Sequence, residues 1–248
     1  MLGESFRCRS VVISGHISII IIGRVNIEIN GFFTECINMI IGLAGQYCAG
    51  KNHVAAVLEK RGLPVLDADK LGYAVIENEK AAILARFGEG IRNQDGSVNR
   101  RLLGAKVFGN SKEMAALEAI VHPEVNRLTL EWVAAQNGKS CAINAAVLHK
   151  SAAFASMRCI ILVRAPWITR LIRAKKRDRL PWAVLARRFA SQKSFTAQYL
   201  AANADIYKIE NPEIGKPGSL LNSAWARKKL ERRVDEILLQ AGLTGGVV

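Results

Sequence analysis

The chain has 248 residues, half of them hydrophobic, and 35 Lys and Arg stand against 21 Asp and Glu for a formal net charge of +14. That length and apolar content exclude a disordered chain and supply one substantial core, with room for an inserted subdomain. The charge calls for an anionic partner: a phosphorylated nucleotide, nucleic acid or a membrane surface. The five cysteines show no paired CxxC spacing, which argues against a disulfide framework or a zinc site and predicts a cytoplasmic protein.

Residues 1–38 differ in texture from the remainder of the chain. The apolar run Val11–Ile22 is only about half of the roughly 20 residues that span a bilayer. Arg7 and Arg9 before it mimic a secretory leader, but no small-residue cleavage site comes after it. The segment is expected to be an extension dispensable for activity, without stable membrane insertion.

The core begins at Met39. Ile40–Leu43 predicts a strand that opens into Gly45, Gln46, Tyr47, Cys48, Ala49, Gly50, Lys51, Asn52 and His53, with a helix continuing through Val54–Leu58. Gly45 and Gly50 bracket four residues, and Lys51 comes next. With that spacing, backbone N–H groups can wrap a polyphosphate while the helix N-terminus and an ammonium neutralise it. An ordinary strand-to-helix turn is the alternative, and the strand before and helix after favour the phosphate loop. Asn52 stands where a Ser or Thr hydroxyl usually meets Mg²⁺ and offers a neutral carboxamide oxygen instead. Cys48 could be an oxidisable thiol near positive charge, though a small filler residue is the simpler reading.

Pro64–Leu66 is the second predicted strand, and Asp67 and Asp69 come directly after it, where open α/β sheets place ligand-handling groups. One carboxylate can accept a proton from an attacking hydroxyl while the other holds a metal through water. The plainer role is a helix cap at Asp69. A helical block over 70–136, broken at Phe87–Gly90 and at Asp95-Gly96, is too long for a simple crossover and predicts a substrate-binding subdomain. Within it His122-Pro123 has no second His or Cys at ligand spacing and reads as a helix-end residue lining a pocket.

Further strands are expected at Cys141–Ala145, Cys159–Val163 and Ile206–Ile209, each without alternation, as suits a parallel sheet covered on both faces. Residues 166–202 are helical and basic. Arg170, Arg173 and Arg177 recur at spacings of three and four and share a face, which suits a mobile lid that brings cations to a transferred phosphoryl group. A nucleic-acid groove competes for that role, but Trp167 is the lone aromatic in 158–179. A loop at Pro212–Gly218 precedes a last helix, Ser219–Ala241. The predicted organisation is one α/β domain over 39–243 built around the phosphate loop, with an insert at about 70–136 and a lid at about 166–193, and a tail at 244–248.

Taken together, Met39 to about Leu243 resembles the dephospho-coenzyme A kinase family, P-loop kinases of the nucleoside-monophosphate-kinase type. The resemblance is carried by Gly42–Gly45 through Gly50-Lys51, by Val65–Asp69, Phe87-Gly88 and Asp95–Arg100, and by Leu103 to Val107-Phe108. It continues with Leu117–Pro123, Arg173, Arg177-Asp178, Gln192, Ala204-Asp205 and Ile209–Asn211. It implies a three-layer α/β P-loop kinase fold with a helical lid, and ATP-dependent phosphorylation of the ribose 3′-hydroxyl of dephospho-coenzyme A.

By the same resemblance Lys51 and the loop amides from Gly45 to His53 hold the ATP phosphates, Asp69 is the general base, and Arg173 and Arg177 close over the phosphates. Asp67, Asp69, Arg100, Phe108 and His122 contact the coenzyme, and Mg²⁺ accompanies ATP with Asn52 as its protein ligand. Three departures stand out: Asn52 itself, Lys150 in place of an acid, and a long link over Pro212–Lys229. Specific nucleic-acid binding is not expected. The rival readings are another small-molecule or nucleoside-monophosphate kinase, for which the 70–136 insert is large, and a nucleotide- or RNA-binding protein that has lost turnover.

Overall fold

The computed structural model describes residues 39–190, 192, 195–200, 202–211 and 220–243, with two short strands at 11–13 and 16–18. The chain divides into two compact units, Met1–Glu35 and Cys36–Val248. In the first, β1 (Val11–Ile13) pairs antiparallel with β2 (His16–Ser18). The rest of the 1–38 segment, with the Ile19–Ile22 stretch, lies outside the described residues.

The second unit is built on five parallel strands: β3 (Ile40–Gly45), β4 (Val65–Asp67), β5 (Cys141–Asn144), β6 (Met157–Arg164) and β7 (Asp205–Glu210). Their spatial order is β4-β5-β3-β6-β7. Each forms where an apolar run predicts it. β3 is central, with Ile41 opposite Ala142 on one side and Cys159 on the other. From β3 the chain runs to the edge strand β4, returns to β5 beside β3 and then crosses to β6 and β7 on the other side, so the carboxyl end of β3 is the switch point where a parallel sheet opens a crevice.

The strands lack alternation because both faces are covered. On one face Ile41, Leu43, Cys159, Ile161 and Val163 pack with Val54 and Leu58 of α1 (Lys51–Lys60) and with Val234 and Ile237 of α9 (Leu220–Gln240). On the other, Ala44, Ile143, Ile160 and Leu162 pack with Leu148, Phe195 and Tyr199, the last in α8 (Ala197–Leu200). Each fully buried Leu, Ile or Val contributes roughly 1.5–3 kcal/mol. Gly42 permits the close approach on this second face. A Cβ there would lie 2.6 Å from Leu148 Cδ2 and 2.7 Å from Met157 Sδ.

The insert consists of α2 (Ala68–Asn78), α3 (Lys80–Phe87), α4 (Arg100–Val107) and α5 (Ser111–Ala134) around its own core of Val75, Ile83, Phe87, Ile91, Leu103 and Val121. Its breaks fall at Gly88 and Gly96, whose φ angles of 85° and 82° favour glycine. Asn99 and Asn110 cap α4 and α5 by accepting the N–H groups of Leu102 and of Lys112 and Glu113.

His122-Pro123 does not end a helix, because α5 runs on for eleven residues beyond Pro123 to Ala134. Proline removes one hydrogen bond from the ladder, but Leu117, Ile120, Val121, Val125 and Leu128 around it pack into the insert core and hold the helix through the gap. The cap of α2 is Asp67, not Asp69. The Asp67 side chain accepts the Lys70 N–H, and Asp69 lies within the first turn.

Beyond β6 come α6 (Trp167–Asp178) and α7 (Trp182–Ala190), the basic pair predicted as a lid. The 212–218 loop and the 244–248 tail lie outside the described residues. Among the described residues no helix is long and apolar enough to cross a membrane.

Candidate active site

The loop leaving β3 is fixed at both ends. Gln46 N–H donates to Val163 O at 3.2 Å, Ala49 N–H to Gln46 O at 2.9 Å, and His53 N–H to Gly50 O at 3.0 Å, which starts α1. Gly50 has φ 97° and ψ 26°, and a Cβ there would lie 2.3 Å from Asn211 Nδ2, the same amide that donates to Ala49 O at 2.9 Å. The positive φ favours glycine at this corner, and a side chain there would push the Asn211 amide off Ala49 O. Cys48 also lies in the left-handed region, with φ 59°, but carries a side chain.

Strain at a non-glycine left-handed residue amounts to roughly 1–2 kcal/mol, while glycine makes the unfolded chain looser by roughly 0.5–1 kcal/mol. Cys48→Gly should therefore leave stability unchanged or raise it by up to about 1 kcal/mol, whereas Gly50→Ala should lower it. Urea unfolding of both variants checks this. A clear loss in Cys48→Gly would mean that its side chain is worth more than the strain. Burial pushes the Cys48 thiol up against the opposing pull of the Arg177 guanidinium, away from the thiolate form that oxidation requires.

Lys51 is the first residue of α1, its side chain 11% exposed, and its Nζ lies 2.8 Å from Asp69 Oδ2. The other Asp69 oxygen accepts the Ala146 N–H at 3.1 Å from the loop after β5. Asp67 is occupied as the cap of α2, with Lys70 Nζ 3.4 Å from its Oδ2. The two carboxylates thus have different duties, Asp69 at the phosphate loop and Asp67 at the helix start. Asn52 Oδ1 accepts from Asn144 Nδ2 at 3.2 Å, and Asn144, 2% exposed, finds no hydrogen-bond partner for its own Oδ1 among the described residues. A small cavity of about 100 Å³ adjoins Asn52, Asp67 and Asn144.

Helices α6 and α7 meet the loop directly. Arg173 donates to Cys48 O at 3.4 Å and Ala49 O at 3.2 Å. Tyr47 N–H donates to Gln192 Oε1 at 2.7 Å, while its hydroxyl donates to Asp178 and accepts from Arg188 Nη1 at 3.1 Å. The Arg177 guanidinium lies 5.3 Å over the Tyr47 ring and pairs with Asp178 at 2.7 Å, holding that carboxyl below the usual carboxylate range. Burial, then the Asp178 hydrogen bond, pushes the Tyr47 hydroxyl up.

Of the residues predicted for the site, Gly45 to His53, Asp67, Asp69, Arg173 and Arg177 come together at the carboxyl ends of the strands. Arg100 lies instead in a cleft of about 740 Å³ within the insert, with Tyr73, Glu77, Asn93, Ser97 and Asn99, and its guanidinium sits 4.6 Å over the Tyr73 ring. Phe108 is 62% exposed just after α4, with the Arg188 guanidinium 5.7 Å from its ring. His122 is half-buried midway along α5. Lys150, the departure from an acid, pairs with Glu118 at 2.6 Å. Sequence reasoning missed Arg188 and Asn144. Nothing separates Arg188 from its basic neighbours, and Asn144 reads as the polar end of an apolar strand.

A parallel sheet in this order, a glycine-cornered loop at its switch point and a lysine opening the next helix define a P-loop phosphotransferase. A family model for dephospho-CoA kinase matches residues 39–212. A dephospho-CoA kinase of Treponema pallidum is 34% identical over 216 residues, covering 83% of this chain and 97% of that one. A crystal structure from Thermus thermophilus superposes with a TM-score of 0.66 at 29% identity, over 84% of this chain and 98% of that one. A dephospho-CoA kinase from Campylobacter jejuni, at 18% identity and TM-score 0.51 over 82% and 97%, shares the fold. The chain belongs to the dephospho-CoA kinase family.

Proposed function

We propose that this kinase transfers the γ-phosphoryl group of ATP to the ribose 3′-hydroxyl of dephospho-coenzyme A through Lys51, Asp69 and the lid arginines. The observation that carries the assignment of roles is the 2.8 Å contact between Lys51 Nζ and Asp69 Oδ2 at the loop mouth. An ammonium and a carboxylate that neutralise each other here exchange partners when substrates enter: Lys51 turns to the β- and γ-phosphates, and Asp69 is left facing the acceptor hydroxyl. The 3′-oxygen attacks γ-phosphorus, its proton goes to Asp69, and the bond to the β–γ bridging oxygen breaks to give ADP. The loop amides hold the phosphates, and Arg173 and Arg177 balance charge on the transferred group.

Mg²⁺ suits the oxygen donors at hand. Asn52 and Asn144 offer carboxamide oxygens, that of Asn144 buried and unpartnered among the described residues, beside Asp67 and the small cavity. Mg²⁺ keeps most of its waters and needs only one or two protein oxygens beyond the phosphates. Bound there it would neutralise phosphate charge. Asn52 should then govern metal demand more than rate. Asn52→Ser is expected to lower the Mg²⁺ concentration giving half-maximal rate and Asn52→Ala to raise it, with dephospho-coenzyme A affinity nearly constant. Identical metal dependence in all three proteins would mean that Asn52 serves only its bond to Asn144.

The test of the function is ADP release from ATP with a panel of acceptors. Dephospho-coenzyme A should be turned over far faster than AMP, CMP or pantetheine. Equal turnover of a nucleoside monophosphate would move the protein to another acceptor class.

A further inference from the structure

Arg170, in the second turn of α6, is 8% exposed, and among the described residues neither its Nε nor its Nη1 has a hydrogen-bond partner. Its guanidinium lies 4.8 Å over the Phe189 ring, and the Phe189 ring meets the Tyr47 ring of the phosphate loop edge-on at 5.6 Å. A cation taken out of water with unmade hydrogen bonds is among the costlier features a fold can keep.

The surroundings add to that cost. Burial pushes the Arg170 guanidinium below its usual value, with Cys48 of the loop pulling the other way and the like-charged Arg164 adding to the depression. Arg164, the last residue of β6, has an Nε that makes no hydrogen bond among the described residues, the Glu210 carboxylate standing 3.6 Å from it. One turn after Arg170, Arg173 reaches the carbonyls of Cys48 and Ala49, so this part of α6 lies against the loop.

An anion completes such a site. The planar guanidinium fork matches phosphate oxygens bidentately, and the Phe189 face holds its plane in advance. We propose that Arg170 is a further binding residue for the polyphosphate of the phosphoryl donor, with Nε and Nη1 donating to phosphate oxygens when nucleotide fills the loop. The inference rests on the loop being the donor site. It assigns a purpose to a charge whose Nε and Nη1 have no partner among the described residues, and opposite effects on stability and on binding follow.

The experiment uses the full chain as wild type, Arg170→Met and Arg170→Lys. Thermal unfolding is measured without ligand, and binding of ATP, inorganic tripolyphosphate and adenosine is measured by calorimetry. Arg170→Met should unfold at a higher temperature than wild type without ligand, because an unpaired buried charge is replaced by an apolar chain of similar length. It should bind both ATP and tripolyphosphate about 10- to 100-fold more weakly, the worth of one or two charged hydrogen bonds. Adenosine binding should not change, and Arg170→Lys should fall between. Equal affinity of wild type and both variants for ATP and tripolyphosphate would overturn the proposal, and Arg170→Lys supplies that comparison if the Met variant does not fold. Failure of wild type to bind either polyphosphate would overturn the donor site itself, an outcome distinct from equal binding by all three.

Discussion

Lys51→Ala is expected to lower kcat/KM by about 10³-fold or more while leaving the fold intact, since it removes the ammonium from the β- and γ-phosphates. The structural cost should be small. Asp69 is 41% exposed and keeps the Ala146 N–H, so the deletion strands no buried charge. Partly exposed ion pairs contribute about 1 kcal/mol or less. Steady-state kinetics beside urea unfolding separates the two effects. Normal turnover in a folded Lys51→Ala variant would show that the loop does not hold the donor phosphates.

Asp69→Asn should cost about 10²–10⁴-fold in kcat, the usual range for removal of a general base, with little change in the KM for ATP. Asp67→Asn is the matched control, because asparagine caps a helix about as well as aspartate and α2 should be preserved. A severe loss at Asp67 with a harmless change at Asp69 would exchange the two roles. The proposed assignment of the base to Asp69 rests on its place beside Lys51 at the loop mouth, whereas an Asp67 oxygen accepts the Lys70 N–H as the α2 cap.

What the sequence made legible is what is local in it. The phosphate loop is one contiguous stretch whose glycine spacing states its chemistry, and the five strands are short apolar runs whose lack of alternation states that both faces are covered. The roles of Asp67 and Asp69 are less legible. They are separated by a single residue, and which of them caps α2 is decided by the direction in which the chain leaves β4.

Depth is the property that sequence conveys worst. Helical spacing puts Arg170, Arg173 and Arg177 on a common face, but it does not say that Arg170 is buried against Phe189 while Arg177 remains 61% exposed over Tyr47. Pro123 misleads for a related reason. A proline in isolation ends a helix, and only packing from distant parts of the insert carries α5 past it. Arg188 and Asn144 gain their roles from partners 141 and 92 residues away, Tyr47 and Asn52, which no local pattern announces.

The central claim is the transfer of phosphate to one particular oxygen of one particular acceptor. It is tested most directly by incubating the full chain with γ-labelled ATP, Mg²⁺ and dephospho-coenzyme A and locating the label in the product by phosphorus NMR and mass spectrometry. Stoichiometric ADP and a labelled phosphomonoester on the ribose 3′-oxygen are expected, formed at a rate that Lys51→Ala lowers by about 10³-fold or more. Label released as inorganic phosphate, or carried on any other atom of the acceptor, would contradict it.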